Sequence, residues 1–481
     1  MNLRDCAHVW SSSLQIKVSK WGAFAVLLSA LSVLQVRPQQ SEKVVVLEHA
    51  DSLVGKILEG ENVRELIGNV RFRQGTVIVD CDRAVQYLQS RKVSLAGNVI
   101  VRDDTMTLKS RRGMYHNADR IAEAFEEVRL DDGKTVLTAD YGRYDVGEKK
   151  AMFRGNVKVQ DSVSTLTSDE LTYFREDKHS FADENVRIVS SENNLTIEGH
   201  HFENYTRRGF SRMTKQPKVL QIDTASDGTV DTFVVRSRVM ESYRDPVRHL
   251  LAIDSVRMWS SELAAESGLG IYFMEDDSII LRKNPFIWYE ENQVSGDSIF
   301  MKLQKRKPRT VFVRGDAFAI SRSDSLHTKR FDQLAGELIT MQFEGGKIRS
   351  IDVDRTATSI YHLYEQEKDS IGVRRRPNGM NKSTGDHVVI SFVNGKAERI
   401  SVVGGVEGEY FPENMVEGRE DEYSLPGFNW REDRPGILRK ARKPSAVVQS
   451  AKSLPRKSSR LSPKKRDQDD LSPELKKIDI R

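Results

Sequence analysis

Residues 66–72 read LIGNVRF, and the phrase returns as LAGNVIV (95–101), AFEEVRL (124–130), MFRGNVKV (152–159) and FADENVRIV (181–189). Its anchor valines, Val70, Val99, Val128, Val157 and Val186, stand 29 residues apart. A second column keeps the same step at Val79, Leu108, Leu137, Leu166 and Leu195. An aromatic column follows at Tyr115, Tyr144, Tyr173 and Phe202, with Tyr87 one place out of register. A constant period of this size marks stacked structural units.

Within each unit the apolar residues alternate: Val70 with Phe72, Val99 with Val101, Val128 with Leu130, Val157 with Val159, Val186 with Ile188. Period two with β-branched residues predicts a half-buried strand. The Gly-Asn pairs at 68–69, 97–98 and 155–156 supply backbone freedom for a bend into it. A second strand follows, as in VIVDCD (77–82), TVLTADYGRY (135–144) and STLTSDELTY (164–173), and a polar turn such as DVGEKK (145–150) closes the unit. The expected stack gains one inter-strand spacing of ~4.8 Å per unit. A unit cannot bury its apolar face alone, so neighbours must cover it. The stack therefore closes into a core or leaves an apolar groove. Asp82, Asp140, Asp169 and Glu198 form an acidic column interrupted by Arg111. With an arginine in the series, the column reads as a solvated sheet face rather than a ladder of ligands.

The chain has 481 residues and a net charge of +5, unevenly spread. Residues 439–481 hold fourteen Lys or Arg against five Asp or Glu, while the remainder holds 61 basic against 65 acidic residues. Lys17 and Lys20 precede the apolar run WGAFAVLLSALSVLQV (21–36), which reads as a signal peptide or signal anchor over residues 1–40. Either places the body outside the cytoplasm. Only Cys6 and Cys81 are present, so burial and strand pairing must hold an exported body together. From about residue 413 apolar periodicity fades. KPSAVVQSAKSLPRKSSRLSPKKR (443–466) is Pro-, Ser- and Lys-rich, so 413–481 is expected to be a disordered basic tail. Its charge suits anionic headgroups, and export disfavours nucleic acid.

The recurrent GNVxV, the strand LTADYGRY (137–144) and the closing segment MTKQPKVL (213–220) resemble the OstA-like domain of lipopolysaccharide-transport proteins, over about residues 44–222. NPFIWYEENQVSGDSIFMKL (284–303), VFVRGDAFAISRSD (311–324) and RFDQLAGELITMQFEGGKIRSIDV (330–353) repeat the same logic. They resemble the second domain of the long, two-domain form found in Bacteroidota. Asn394-Gly395, between VVISFV and KAERISVV, is a hairpin signal. The resulting organisation is a targeting segment (1–40), a first β-jellyroll (41–225), a second related β domain (226–412) and the tail. The fold class is all-β, of stacked antiparallel strands.

The resemblance implies a jellyroll, V-shaped in section, whose interior holds lipopolysaccharide acyl chains. It implies a periplasmic location and joining to other OstA-like components, at the inner or outer membrane, through edge strands, with homo-oligomers a further option. The residues expected to line a groove are Val70, Phe72, Val99, Val101, Leu108, Val128, Leu130, Leu137, Val157, Val159, Leu166, Val186 and Ile188.

Catalytic signals are sparse, and no cofactor or metal is expected. His200 and His201 are adjacent to Glu198 and Glu203, but neighbours on a strand point to opposite faces. Asp352 and Asp354 share a strand face, which reads as solvated. Gly404-Gly405 precedes no helical pattern and so makes no phosphate loop. Two rival readings survive: a polysaccharide-acting parallel β-helix enzyme, which needs convergent carboxylates, and a rigid β-solenoid scaffold.

Overall fold

The computed structural model describes residues 45–436, apart from 104–105, 192–193, 225–229, 305–306, 325–326, 370–371 and 394–395. The expected targeting segment and the tail beyond 436 lie outside these residues. So does the Asn394-Gly395 turn, although Val393 and Lys396 on either side of it are paired. The body is all-β. From Glu61–Gln74 to Leu195–Tyr205 each strand pairs antiparallel with the next in sequence. A parallel β-helix is not what these pairings build. Each 29-residue unit supplies two hydrogen-bonded strands, so it adds two spacings, ~9.6 Å, rather than the single ~4.8 Å step expected above.

The Gly-Asn pair is where each such strand bends. Ala96 faces Arg112 and Val99 faces Ser110, so Gly97 and Asn98 together oppose only Arg111. Two residues against one is a β-bulge, and it bends the strand. Both bulge residues are left-handed, Gly97 at φ +75° and Asn98 at +45°. The same paired conformation recurs at 68–69, 126–127, 155–156 and 184–185, then at 254–255, 283–284, 315–316 and 355–356. These corners fold the sheet into two arms with a common interior. Arm 1 carries strand halves such as 92–96 and 249–253; arm 2 carries those such as 99–103 and 256–259.

The acidic column is exposed, as expected, but it has partners. Asp51, Asp82, Asp140 and Asp169 accept hydrogen bonds from the side-chain amides of Asn69, Asn98, Asn156 and Asn185 at 3.1, 2.9, 2.8 and 2.7 Å. Arg111, the interruption, meets Glu127, which stands where the other units have asparagine. The pair is conserved in logic and reversed in charge. Arg238 donating to Asp254 in the bulge 254–255 repeats the reversal further along, whereas Glu337 accepting from Arg355 at 2.7 Å keeps the acid on the preceding strand. A Cβ at Gly97 would collide with the Asp82 carboxylate as it is placed here. Glu126 and Glu184 hold the same place in other units, the second beside an intact Asp169–Asn185 clasp.

The expected boundary at 225/226 falls inside one antiparallel hairpin, Lys218–Thr224 with Val230–Arg236, so the sheet runs through it. The interior changes a little later: one core cluster ends at Met240 and the next begins at Val256. The expected tail also starts too early, because residues 413–436 pack on the body. After the short helix Glu413–Val416 they run as a strap across the outer face of arm 2. Val416 and Leu425 sink among Phe318, Ile320, Ile360 and Met380. Gln333 Oε1 accepts from the Leu425 N–H at 2.9 Å, and Gln293 brackets the Arg431 backbone at 2.9 and 2.6 Å. The Arg431 guanidinium lies over Phe286 and Trp288 and reaches Glu266 at 2.6 Å. The buried Arg330 grips Glu413 through two hydrogen bonds, 3.0 and 2.5 Å. An extended strap buries isolated side chains without a period, which is why composition alone read it as tail.

Candidate functional site

All but one of the thirteen expected groove residues are buried, and Leu108 is partly so. All thirteen stand on arm 2, with Val70, Phe72, Val99 and Val101 in one cluster and the others in a second, where Tyr115, Tyr144 and Phe202 meet them from arm 1. A recess of about 40 Å³ lies beside Val101, Leu108, Val128 and Leu130. In this half of the described molecule the alternating residues meet each other rather than an open channel.

The arms separate further along the chain. A cavity of about 380 Å³ lies between strands of residues 195–308. Val219, Phe233, Val235, Leu250, Ala252 and Ile279 face it and are only half-buried, although they hold inward positions like those of Val157. Alternation of side chains identified the inward face; it carried no signal for the distance between arms. The mouth is polar, with Asp231, Ser260, Glu262 and Lys307. Deeper in, Gln221 is buried and its Nε2 has no hydrogen-bond partner among the described residues. An orphaned donor in an apolar wall is costly unless a ligand satisfies it.

Beyond the cavity the arms meet again. Tyr289, on arm 2, donates its hydroxyl hydrogen bond to the Gly346 carbonyl on arm 1, and its ring stands edge-on to Phe343 at 5.6 Å. Burial pushes the Tyr289 phenol up, so it stays a donor at neutral pH. Outside, at the tip of arm 1, the pairing register aligns Phe174, His179, Tyr205, Phe210, Tyr243, His249 and Phe273 on neighbouring strands. Successive centroids are 4.4–5.9 Å apart, with four of the six contacts near-parallel or shallow stacks. Ring faces are turned to one another, so the row stiffens the sheet where internal packing gives way.

The remaining candidates find local partners. His201 lies between Asp183 (2.5 Å) and Glu203 (3.1 Å), whereas His200 faces Glu184 at 3.4 Å. Asp354 and Asp352 face His387 at 2.6 and 4.0 Å. Cys81 is buried, and burial pushes its thiol up to about 12. It is un-ionised at neutral pH.

The family described as OstA-like protein matches residues 42–198. The family described as LptA/(LptD N-terminal domain) LPS transport protein matches residues 136–307, which includes the cavity strands. Residues 42–307 are OstA/LptA-like. No curated protein matches the chain. Among solved structures it is similar to LptH of Pseudomonas aeruginosa, titled as the LptA-homologous periplasmic component of a lipopolysaccharide transport device. The likeness has 13% identity and a TM-score of 0.17, covering 31% of this chain and 82% of that one.

Proposed function

We propose that this protein is an exported carrier or bridge segment for lipopolysaccharide in the periplasm, holding acyl chains between the two arms of its sheet. The observation that carries the reading is the apolar cavity of about 380 Å³ with the unpartnered Gln221 amide in its wall. Each acyl methylene removed from water contributes about 0.8 kcal/mol, so a multi-chain lipid gains tens of kcal/mol from such a lining. Gln221 Nε2 suits the carbonyl of an acyl ester or amide. The residues 70–188 set out above form the wall that continues from the cavity, and acyl chains would reach them only as the arms part.

The ends of the sheet support the bridging role. Among the described residues, Val46–His49 and Ser52–Leu58 pair only with Glu61–Gln74, and Lys396–Val403 and Glu407–Phe411 only with the strand Gly372–Val393. Leu53, Ile57, Val403 and Tyr410 are exposed on these edges. Open edges of this kind accept further strands, here from other OstA-like domains or a second copy.

Photo-crosslinking residues at Phe233 and Leu250 test the reading. Lipopolysaccharide labelling at both, with weak labelling at Val128 and Val157 and none at the outward Arg129, is expected. Labelling at Arg129 with none at Phe233 or Leu250 would sink it.

A further inference from the structure

The outward side of the sheet changes character along the molecule. In the first half the outward positions of arm 1 intersperse polar residues such as Ser94, Glu123, Arg143, Arg154 and Glu170 with single apolar ones such as Phe125, Met152 and Phe181. In the second half both outward faces turn apolar, and their fates differ. The strap covers arm 2, where Trp288, Ile320 and Ile360 lie beneath residues 413–436. On arm 1 the register places Leu251, Ile271, Ile280, Phe300 and Phe312 opposite one another across five strand segments, with Ile253 and Leu269 in the next row. All are partly exposed, and no described segment lies over them. Their inward neighbours Leu281, Ile299, Met301 and Val313 are buried, so the interior does not need this second apolar layer.

Three exposed cations frame the patch. Arg282 stands in register with Leu269, Arg314 beyond Ser298 in the same row, and Lys302 opposite Ser278 at the arm tip. None forms an ion pair with another described residue. On the tip side lie Phe273, His249 and Tyr243, the end of the aromatic row. Aliphatic and phenylalanine side chains framed by unpaired cations and flanked by amphipathic rings match the interfacial zone of a bilayer with anionic headgroups. A protein partner would be expected to meet the three cations with carboxylates.

We propose that the outer face of arm 1 between Leu251 and Phe312 is a membrane-docking surface for an anionic lipid bilayer. Leu251 and Ile271 also border the cavity, whereas Ile280, Phe300 and Phe312 do not.

The test places a nitrobenzoxadiazole dye at Phe300→Cys and, separately, at Phe125→Cys on the outward face of the first half, in full-length protein carrying Cys6→Ser; Cys81 is buried and stays unlabelled. Vesicles are phosphatidylcholine with roughly 30% phosphatidylglycerol, with or without brominated acyl chains. The expected result is a blue shift and bromolipid quenching at position 300 and not at 125. Changing Arg282, Lys302 and Arg314 to Gln should weaken partitioning about fivefold each, an effect that fades as salt rises. Equal responses at 300 and 125 would overturn the proposal. A response at 300 that tracks protein concentration instead of vesicles would also overturn it, and would assign the face to a second copy.

Discussion

Strands 61–205 and strands 218–303 share one folding rule and reach opposite interiors. In the first region the two arms close on each other, with Val157, Leu166 and Ile188 essentially inaccessible. In the second the same inward alternation leaves Val235, Leu250 and Ile279 facing space. The corners do not explain the difference, since left-handed pairs occur in both. What differs is the separation of the arms, and outside the molecule the compensation is visible: an aromatic row braces arm 1 and a strap braces arm 2. A β-unit can therefore be a packing element or a container wall without any change in its strand pattern.

The largest effect that tests this contrast is in the packed region. Leu166→Ala should cost about 4 kcal/mol, because the void it leaves cannot collapse. Leu250→Ala, which already faces space, should cost about 1 kcal/mol. Denaturant midpoints of the two variants measure the gap; equal losses would abolish the distinction. Arg330→Ala should cost about 3 kcal/mol by leaving the Glu413 carboxylate partly buried and unpaired. Limited proteolysis should then cut within 413–436 while the first half stays resistant. Gly97→Ala should cost about 2 kcal/mol, since its φ of +75° and the Asp82 carboxylate both oppose a Cβ. The reversed unit offers a finer test: Arg111→Asp and Glu127→Asn are each destabilising, whereas the double variant should recover about 1 kcal/mol in a thermodynamic cycle.

The smallest effect concerns acid. Burial disfavours the charged Glu413, but Arg330 and the Gly379 N–H outweigh it and hold the carboxyl below its ordinary value of 4.5. A carboxyl depressed in the folded state contributes stability above its unfolded value and loses it as pH falls through the folded one. Strap protection should accordingly decline in the acid range below pH 4.5 and be flat at neutral pH, as hydrogen exchange across 413–436 can show.

Much of the fold was legible because it is periodic. Val70 to Val186 named the strands and their inward face, and the Gly-Asn pairs marked the bends. The corner clasps were not legible in the same way. Asp82 and Asn98 are 16 residues apart and meet only once two strands pair, so each looked like an independent surface residue. Arg111 interrupts the column in sequence, and only strand pairing brings Glu127 beside it. The strap escaped because Val416, Leu425 and Trp430 are anchored singly, without period. For the candidate site, the alternating residues were recognised as a wall, but local sequence contains no measure of how far that wall stands from the opposite one. Gln221 offered one usable signal, a polar residue at an inward position of a strand.

The self-contained corner has an evolutionary consequence. Each 29-residue unit carries its bend and one half of each of two clasps, so a unit of the Asn–Asp kind can be duplicated with matching halves on both sides, whereas the units holding Arg111 and Glu127 must be copied together. Length can thus be adjusted in graduations of ~9.6 Å without redesigning either end. The molecule is a ruler whose divisions can be copied, and the distance it spans is set by a count.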